Sequence, residues 1–208
     1  MIKRILVVLL LVISNVTYGE VVILGDSIFA MTGEVALEFQ RLSGREIISH
    51  AVTGATMEDI RTQYQTHRHP EITTVLMNGG ANDVLQNSFN CLRFNDKCRA
   101  ALDTALVVME EMLAEMPVDT TVVWVGYYKP TGLARGFRGA LDYATPLMQE
   151  ACTNASLRCL FVDPIDAFAD QSGLIQIDGL HPTEKGSRVL AALIWETFKE
   201  YKIKVRSF

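Results

Sequence analysis

Four short polar segments carry residue types that can do chemistry together: Gly25-Asp26-Ser27, Thr53-Gly54-Ala55, Gly80-Ala81-Asn82-Asp83 and Asp178-Gly179-Leu180-His181-Pro182. A serine hydroxyl is a weak nucleophile at its ordinary pKa and needs an adjacent base. His181 is the natural base, because imidazole titrates near neutral pH and can take and return a proton. Asp178 stands three residues upstream. From there a carboxylate can hold one ring nitrogen and turn the other toward Ser27. In the chain order Ser, Asp, His, this set suits attack on a carbonyl carbon. Each residue also has a plainer reading. Asp26 or Ser27 could simply cap a helix, Asp178-Gly179 could be an ordinary turn, and Pro182 could mark a helix start. A Gly-Asp-Ser tripeptide alone arises by chance in roughly one chain in twenty of this size.

What raises these residues above chance is the pattern that must position them. Val21–Leu24 is a continuous apolar run ending at Gly25, the signature of a buried parallel strand. Helical spacing follows over Phe29–Arg41, with Met31, Val35, Leu37 and Phe39 on the apolar side. Glu46–Val52 reads as a second strand, Thr56–Gln65 as a helix and Thr73–Met77 as a third strand. Residues 86–99 read as loop. Ala100–Met116 is the clearest helix, with Leu102, Ala105, Val108, Met109, Met112, Leu113 and Met116 on one face, ended by Pro117. Thr121–Val125 is a fourth strand, Gly126–Gly139 a loop, Ala140–Ala151 a helix and Cys159–Val162 a fifth strand. Residues 163–182 read as irregular, and a last helix runs from about Thr183 to Tyr201. Strand and helix alternate five times without a linker or repeat. That predicts an α/β fold, a three-layer α/β/α sandwich around a five-stranded parallel, flavodoxin-like sheet of order 2-1-3-4-5. The polar turns that follow strands would then gather at one sheet edge, where ligands bind in open α/β sheets.

Length and composition agree with a single domain over residues 20–208. The chain has 208 residues, 49% hydrophobic and 21% charged, with a formal net charge of −5. An acidic balance disfavours nucleic acid as a partner, which needs a basic footprint. Residues 1–19 read as a secretory signal: Lys3 and Arg4 precede the apolar run Ile5–Ile13, and Thr17 and Gly19 suit cleavage before Glu20. Ile5–Ile13 is too short to span a bilayer comfortably, so no stable membrane span is expected after processing. Secretion or a periplasmic location follows, and it fits the four cysteines. In an oxidising compartment the simple pairing is Cys91–Cys98 and Cys152–Cys159, although four cysteines allow three connectivities. The spacing is wider than usual zinc-ligand pairs, and His67-Arg68-His69 reads as exposed loop, so no metal is expected.

The four blocks, in this order and at these places, resemble the SGNH (or GDSL) hydrolase family, over essentially the whole chain from Val21 to the last helix. Ile28 stands where the family's name has leucine. The resemblance implies a secreted serine esterase acting on carboxylic esters through an acyl-enzyme, with Ser27, Asp178 and His181 as its triad. It also assigns the oxyanion hole to the backbone N–H groups of Ser27 and Gly54 and the side-chain amide of Asn82. Asp83 would hold its loop, and Asp26 would cap a helix. No cofactor is implied. The family's substrates imply a small ester as partner, a lipid or an acylated carbohydrate. An acyltransferase with a sugar or alcohol acceptor would use the same residues, and a non-catalytic binding module would have no need of them. The loop Tyr127–Arg138 follows the fourth strand, so Lys129, Arg135 and Arg138 are candidates for contact with an anionic or sugar-bearing substrate, against the plainer reading of a solvated surface loop.

Overall fold

Branched and apolar residues at successive positions build the centre of the sheet. The structure is a computed structural model that describes residues 20–169 and 171–205; the signal expected over 1–19 lies outside the described residues. Its strands are β1 (Glu20–Leu24), β2 (Ile48–Ser49), β3 (Ile72–Met77), β4 (Thr121–Val125) and β5 (Arg158–Val162). All pair in parallel, in the order β2-β1-β3-β4-β5 expected from the alternating pattern. Register places Ile23 beside Leu76, Leu76 beside Val123, and Val123 beside Leu160. Parallel strands are buried on both faces, so their side chains divide between two cores.

One core takes Val22, Leu24, Val75, Met77, Val122 and Trp124. It packs under α3 (Met57–His67), α6 (Asp96–Glu115) and α7 (Arg138–Asn154). The other takes Val21, Ile23, Leu76, Val123 and Val125. It packs under α2 (Glu34–Ser43) and α9 (Glu184–Glu200), where Phe39 meets Phe198 edge-on at 4.8 Å. Short helices fill the turns: α1 (Ser27–Ala30), α4 (Ala81–Gln86), α5 (Ser88–Cys91) and α8 (Ile165–Phe168). The face of α6 read from its spacing is the buried one, with Leu102, Ala105, Met109, Met112 and Leu113 inside.

Four local expectations need correction. The helix predicted over Phe29–Arg41 is two helices, because Gly33 has φ of 67°, a left-handed conformation that suits glycine and breaks the run. Only Val35 and Phe39 of the predicted stripe are buried in α2, while Met31 and Leu37 are exposed. The second strand is two residues long instead of Glu46–Val52. Its pairing with β1 nevertheless continues as single backbone bonds, from His50 N–H to Ile23 O at 2.8 Å and from Val52 N–H to Gly25 O at 3.0 Å. Residues 86–99 are largely helical. Asn95 caps α6 by accepting from the Lys97 and Cys98 N–H groups, a polar cap that reads as loop in isolation. His67 closes α3 and stacks on His50 at 3.5 Å, so it is not exposed loop.

Disulfides join Cys91 to Cys98 and Cys152 to Cys159, each across seven positions. The first ties the end of α5 to the first turn of α6. The second ties the end of α7 to β5.

Candidate active site

β1 runs into Gly25, and the chain then turns so sharply that Asp26 and Ser27 sit at the sheet's carboxyl edge. Gly25 has φ of 152°, and a Cβ there would lie 2.0 Å from Asn78 Oδ1, so no larger residue fits. Gln63 clamps the Gly25 peptide from both sides. Its Oε1 accepts the Gly25 N–H at 2.8 Å and its Nε2 donates to the Gly25 carbonyl at 3.0 Å.

Asp26 is wholly buried beneath this turn. Its Oδ1 accepts the Ile28 N–H at 2.9 Å, capping α1 as expected, and also the Asn78 amide at 2.8 Å. Its Oδ2 accepts the Tyr127 hydroxyl at 2.6 Å. Burial raises the pKa of Asp26, against the pull of these three donors. Burial, followed by the nearby Asp26 charge, raises Tyr127 well above its ordinary value, so the phenol remains a donor. The Tyr127 oxygen in turn accepts the Ala81 N–H at 3.2 Å. Gln63, Asn78 and Tyr127 thus fix the turn that presents Ser27. Sequence reading missed the first two and gave Tyr127 to the substrate loop. Asn78, adjoining the strand-ending Gly79-Gly80, is the one that a search for buried polar residues at strand ends could have found.

The Asp178–His181 segment is held from several directions. Gln176 N–H donates to His181 O at 2.8 Å, Thr131 N–H to Gly179 O at 2.9 Å, and the Tyr128 hydroxyl to Leu180 O at 2.7 Å. Gly179 has φ of 78°, and a Cβ there would lie 2.1 Å from Thr131 O. Asp178 Oδ1 accepts the Leu180 and His181 N–H groups at 2.9 and 3.0 Å. Its Oδ2 lies 2.6 Å from His181 Nδ1. His181 Nε2 lies 2.9 Å from Ser27 Oγ. Partial burial pushes the Asp178 pKa up, but the bonds from the His181 ring and the two backbone N–H groups outweigh it and bring the carboxyl below its ordinary value. The structure therefore joins Ser27, His181 and Asp178 in one hydrogen-bonded chain, closed by a bond across 154 positions of sequence, with the carboxylate ionised at neutral pH.

Gly54 and Asn82 are joined to each other's segments. Asn82 Nδ2 donates to Ala55 O at 2.9 Å, so the first turn of α4 grips the turn that carries Gly54. Gly54 has φ of 87° and open space where a Cβ would be. The Val52-to-Gly25 backbone bond brings that same turn alongside Ser27. Asp83 Oδ2 accepts the Met57 N–H at 3.0 Å, tying α4 to the start of α3. Among the described residues no acceptor is bonded to the Ser27 or Gly54 N–H.

A cavity of about 100 Å³ opens beside Ser27 and His181 and runs inward between α6 and α7. Its walls are almost all apolar, and Tyr127, Phe137, Ala105 and Met148 are among the residues that form them. Lys129, Arg135 and Arg138 are not among the residues that line it. Lys129 and Arg135 are exposed to solvent. Arg138 donates to Pro130 O at 3.0 Å, where it braces its own loop. The aromatic residues of that loop face the cavity in their place, because the walls they meet are core helices.

At the opposite edge of the sheet, Glu20, His69 and Glu71 bring three potential ligand atoms within 4.8 Å of one another. These residues are partly or fully exposed and stand at the starts of β1 and β3, away from Ser27. Among the described residues, no helix is long and apolar enough to cross a membrane.

Comparison with known proteins agrees with this fold. The model of the GDSL-like lipase/acylhydrolase family matches residues 23–189. No curated protein sequence matches the chain. Among solved structures, the chain is similar to a lipase from a goat rumen metagenome, at 15% identity and a TM-score of 0.65, covering 86% of this chain and 96% of that one. It is similar to an acetylxylan esterase from Geobacillus stearothermophilus, at 16% identity and a TM-score of 0.66, covering 91% and 97%. It is also similar to phospholipase A1 from Streptomyces albidoflavus, at 18% identity and a TM-score of 0.65, covering 86% and 99%. Identities this low speak for the fold alone, whereas the family match spans β1 to the middle of α9. The chain belongs to the GDSL-like lipase/acylhydrolase family and is a hydrolase of ester bonds.

Proposed function

We propose that the protein is a serine esterase that cleaves carboxylic esters through an acyl-enzyme, with Ser27 as nucleophile, His181 as general base and Asp178 as the group that orients it. The carrying observation is the 2.9 Å approach of His181 Nε2 to Ser27 Oγ, with Asp178 Oδ2 at 2.6 Å from the other ring nitrogen. An ionised Asp178 at Nδ1 favours the tautomer whose Nε2 lone pair faces the hydroxyl. As Ser27 Oγ adds to the carbonyl carbon, its proton passes to Nε2. The new oxyanion is met by donors already in place: the Ser27 and Gly54 N–H groups and the Asn82 amide. An amide nitrogen carries two hydrogens, so its bond to Ala55 holds the side chain and leaves a second N–H to donate. Collapse of the intermediate breaks the C–O bond, and the imidazolium returns its proton to the departing alcohol. Water, activated by the same ring, then releases the acid.

Gly54 suits this role because its missing side chain leaves the backbone approachable. Two disulfides support work in an oxidising compartment, outside the cytosol, in line with an N-terminal export signal. Hydrolysis of p-nitrophenyl esters by wild type and Ser27→Ala tests the reading. The variant is expected to lose at least about 10³-fold in kcat, and an alkyl fluorophosphonate is expected to label Ser27 alone. Equal rates for the two proteins would remove the mechanism.

A further inference from the structure

The cavity between α6 and α7 has no counterpart in the chemistry of bond cleavage. A hydroxyl, an imidazole held by a carboxylate and a set of oxyanion donors suffice for that, yet the space beside Ser27 continues between the helices. Protein interiors are packed with few voids larger than a water molecule, so an open apolar space beside a reactive hydroxyl calls for an occupant. The space exists because small side chains stand where the two helices would otherwise touch. Ala105 of α6 faces it, as do Ala140 and Ala144 of α7, and all three are buried. Leu102 and Met148 also line it. The polar side chains that line it are those of Ser27, His181, Tyr127 and Tyr128. An acetyl group or a sugar would leave such walls unused, and a sugar would bury hydroxyls without partners.

Resting on the acyl-enzyme reading, we infer that this cavity takes the acyl chain of the ester, and that the chain is longer than acetyl. The mouth places the carbonyl at Ser27, and the chain runs down the α6–α7 seam toward Met148. Met148 lines this seam. Its flexible, unbranched side chain sets where a longer chain meets resistance.

The test is the chain-length profile on p-nitrophenyl esters from acetate to hexadecanoate. In wild type, kcat/KM is expected to rise by up to about fourfold per buried methylene from acetate through the longer esters that the seam admits. Ala144→Phe fills the seam and is expected to lower the decanoate-to-acetate ratio by about tenfold or more. Met148→Ala enlarges it and is expected to shift the preference toward longer esters. A wild-type preference for acetate overturns the inference. So does a ratio that neither variant moves, even with Ser27→Ala inactive and the esterase reading intact. Binding of decanoic acid to Ser27→Ala, followed by calorimetry, reads the cavity without turnover. Binding is expected in Ser27→Ala and not in Ser27→Ala with Ala144→Phe. Equal binding by the two would also overturn the assignment, and binding with no ester hydrolysis in wild type would overturn the esterase reading alone.

Discussion

The Tyr127 hydroxyl donates to Asp26 Oδ2 at 2.6 Å, across 101 positions of sequence. This bond links the loop after β4 to the turn that presents Ser27, and it satisfies a wholly buried carboxyl. Tyr127→Phe keeps the ring against the cavity and removes only the donor. Leaving a buried polar group short of a partner costs about 1–3 kcal/mol, so the variant should unfold at correspondingly lower urea. Its kcat should also fall, because the Asp26 turn loses one of its three side-chain and backbone donors. An unchanged urea midpoint would show that the bond is not formed in solution.

Asp178→Asn addresses the ring tautomer. An asparagine can turn its NH₂ toward Nδ1, which favours the tautomer with the proton on Nε2, facing Ser27 with a donor. With this group wrong, a drop in kcat of about 10³–10⁴ is expected with little change in KM. Combined with Ser27→Ala it should bring kcat no lower than Ser27→Ala does alone, because residues that act as a unit lose activity together. Additive losses would count against a shared mechanism.

Asn82 is asked to do two things, and they separate kinetically. Asn82→Ala removes an oxyanion donor, worth about 10²–10³ in kcat, and also unties the Ala55 carbonyl. Asn82→Asp offers a carboxylate that cannot donate at neutral pH, so it should fall as far. Steady-state kinetics on a short-chain ester decide it: a loss carried in KM with kcat intact would reduce Asn82 to a brace for the Gly54 turn.

The disulfides give a check on stability away from the site. Each closes a loop of seven positions, which the chain-entropy account values at about 2–3 kcal/mol. Replacing Cys91 and Cys98 by serine should lower the melting temperature, and replacing Cys152 and Cys159 should add a similar step. The two bridges share no partner, so their effects should sum. Neither change should alter the chain-length profile.

The sheet order was legible because each strand is a short apolar run closed by a polar turn, and parallel topology leaves few alternatives. Ser27, Asp178 and His181 were legible because their chemistry is local to two turns. The support beneath them was not. Gln63 and Asn78 are polar residues inside otherwise ordinary helix and strand-end patterns, and only the folded sheet brings them to Gly25 and Asp26. The basic loop is the converse case. Lys129, Arg135 and Arg138 advertise charge, whereas the fold lines the cavity with Tyr127, Tyr128 and Phe137, exposes Lys129 and Arg135 and ties Arg138 to Pro130 O. The cavity had no sequence signal, since Ala105, Ala140 and Ala144 look like ordinary core alanines until α6 and α7 are set side by side.

Two aspartates flanking Ser27 should make stability depend on pH with opposite signs. Asp178 has its carboxyl held below the ordinary value of 3.8, because the His181 ring and two backbone N–H groups outweigh its partial burial. Its contribution is therefore present above that value and is lost as pH falls through the lowered one. Asp26 is raised above 3.8 by burial. Unfolding releases its proton in the interval between 3.8 and the raised value, so the fold is disfavoured there and above, and recovers as pH drops toward 3.8. Urea unfolding of wild type, Asp178→Asn and Asp26→Asn from pH 3 to pH 7 separates the two. Relative to Asp178→Asn, wild type should lose its advantage toward the acid end. Relative to Asp26→Asn, it should gain. Curves of the same slope would mean that one of the two carboxyls is not in the environment that the Gly25–Ser27 turn and the Asp178–His181 loop give it.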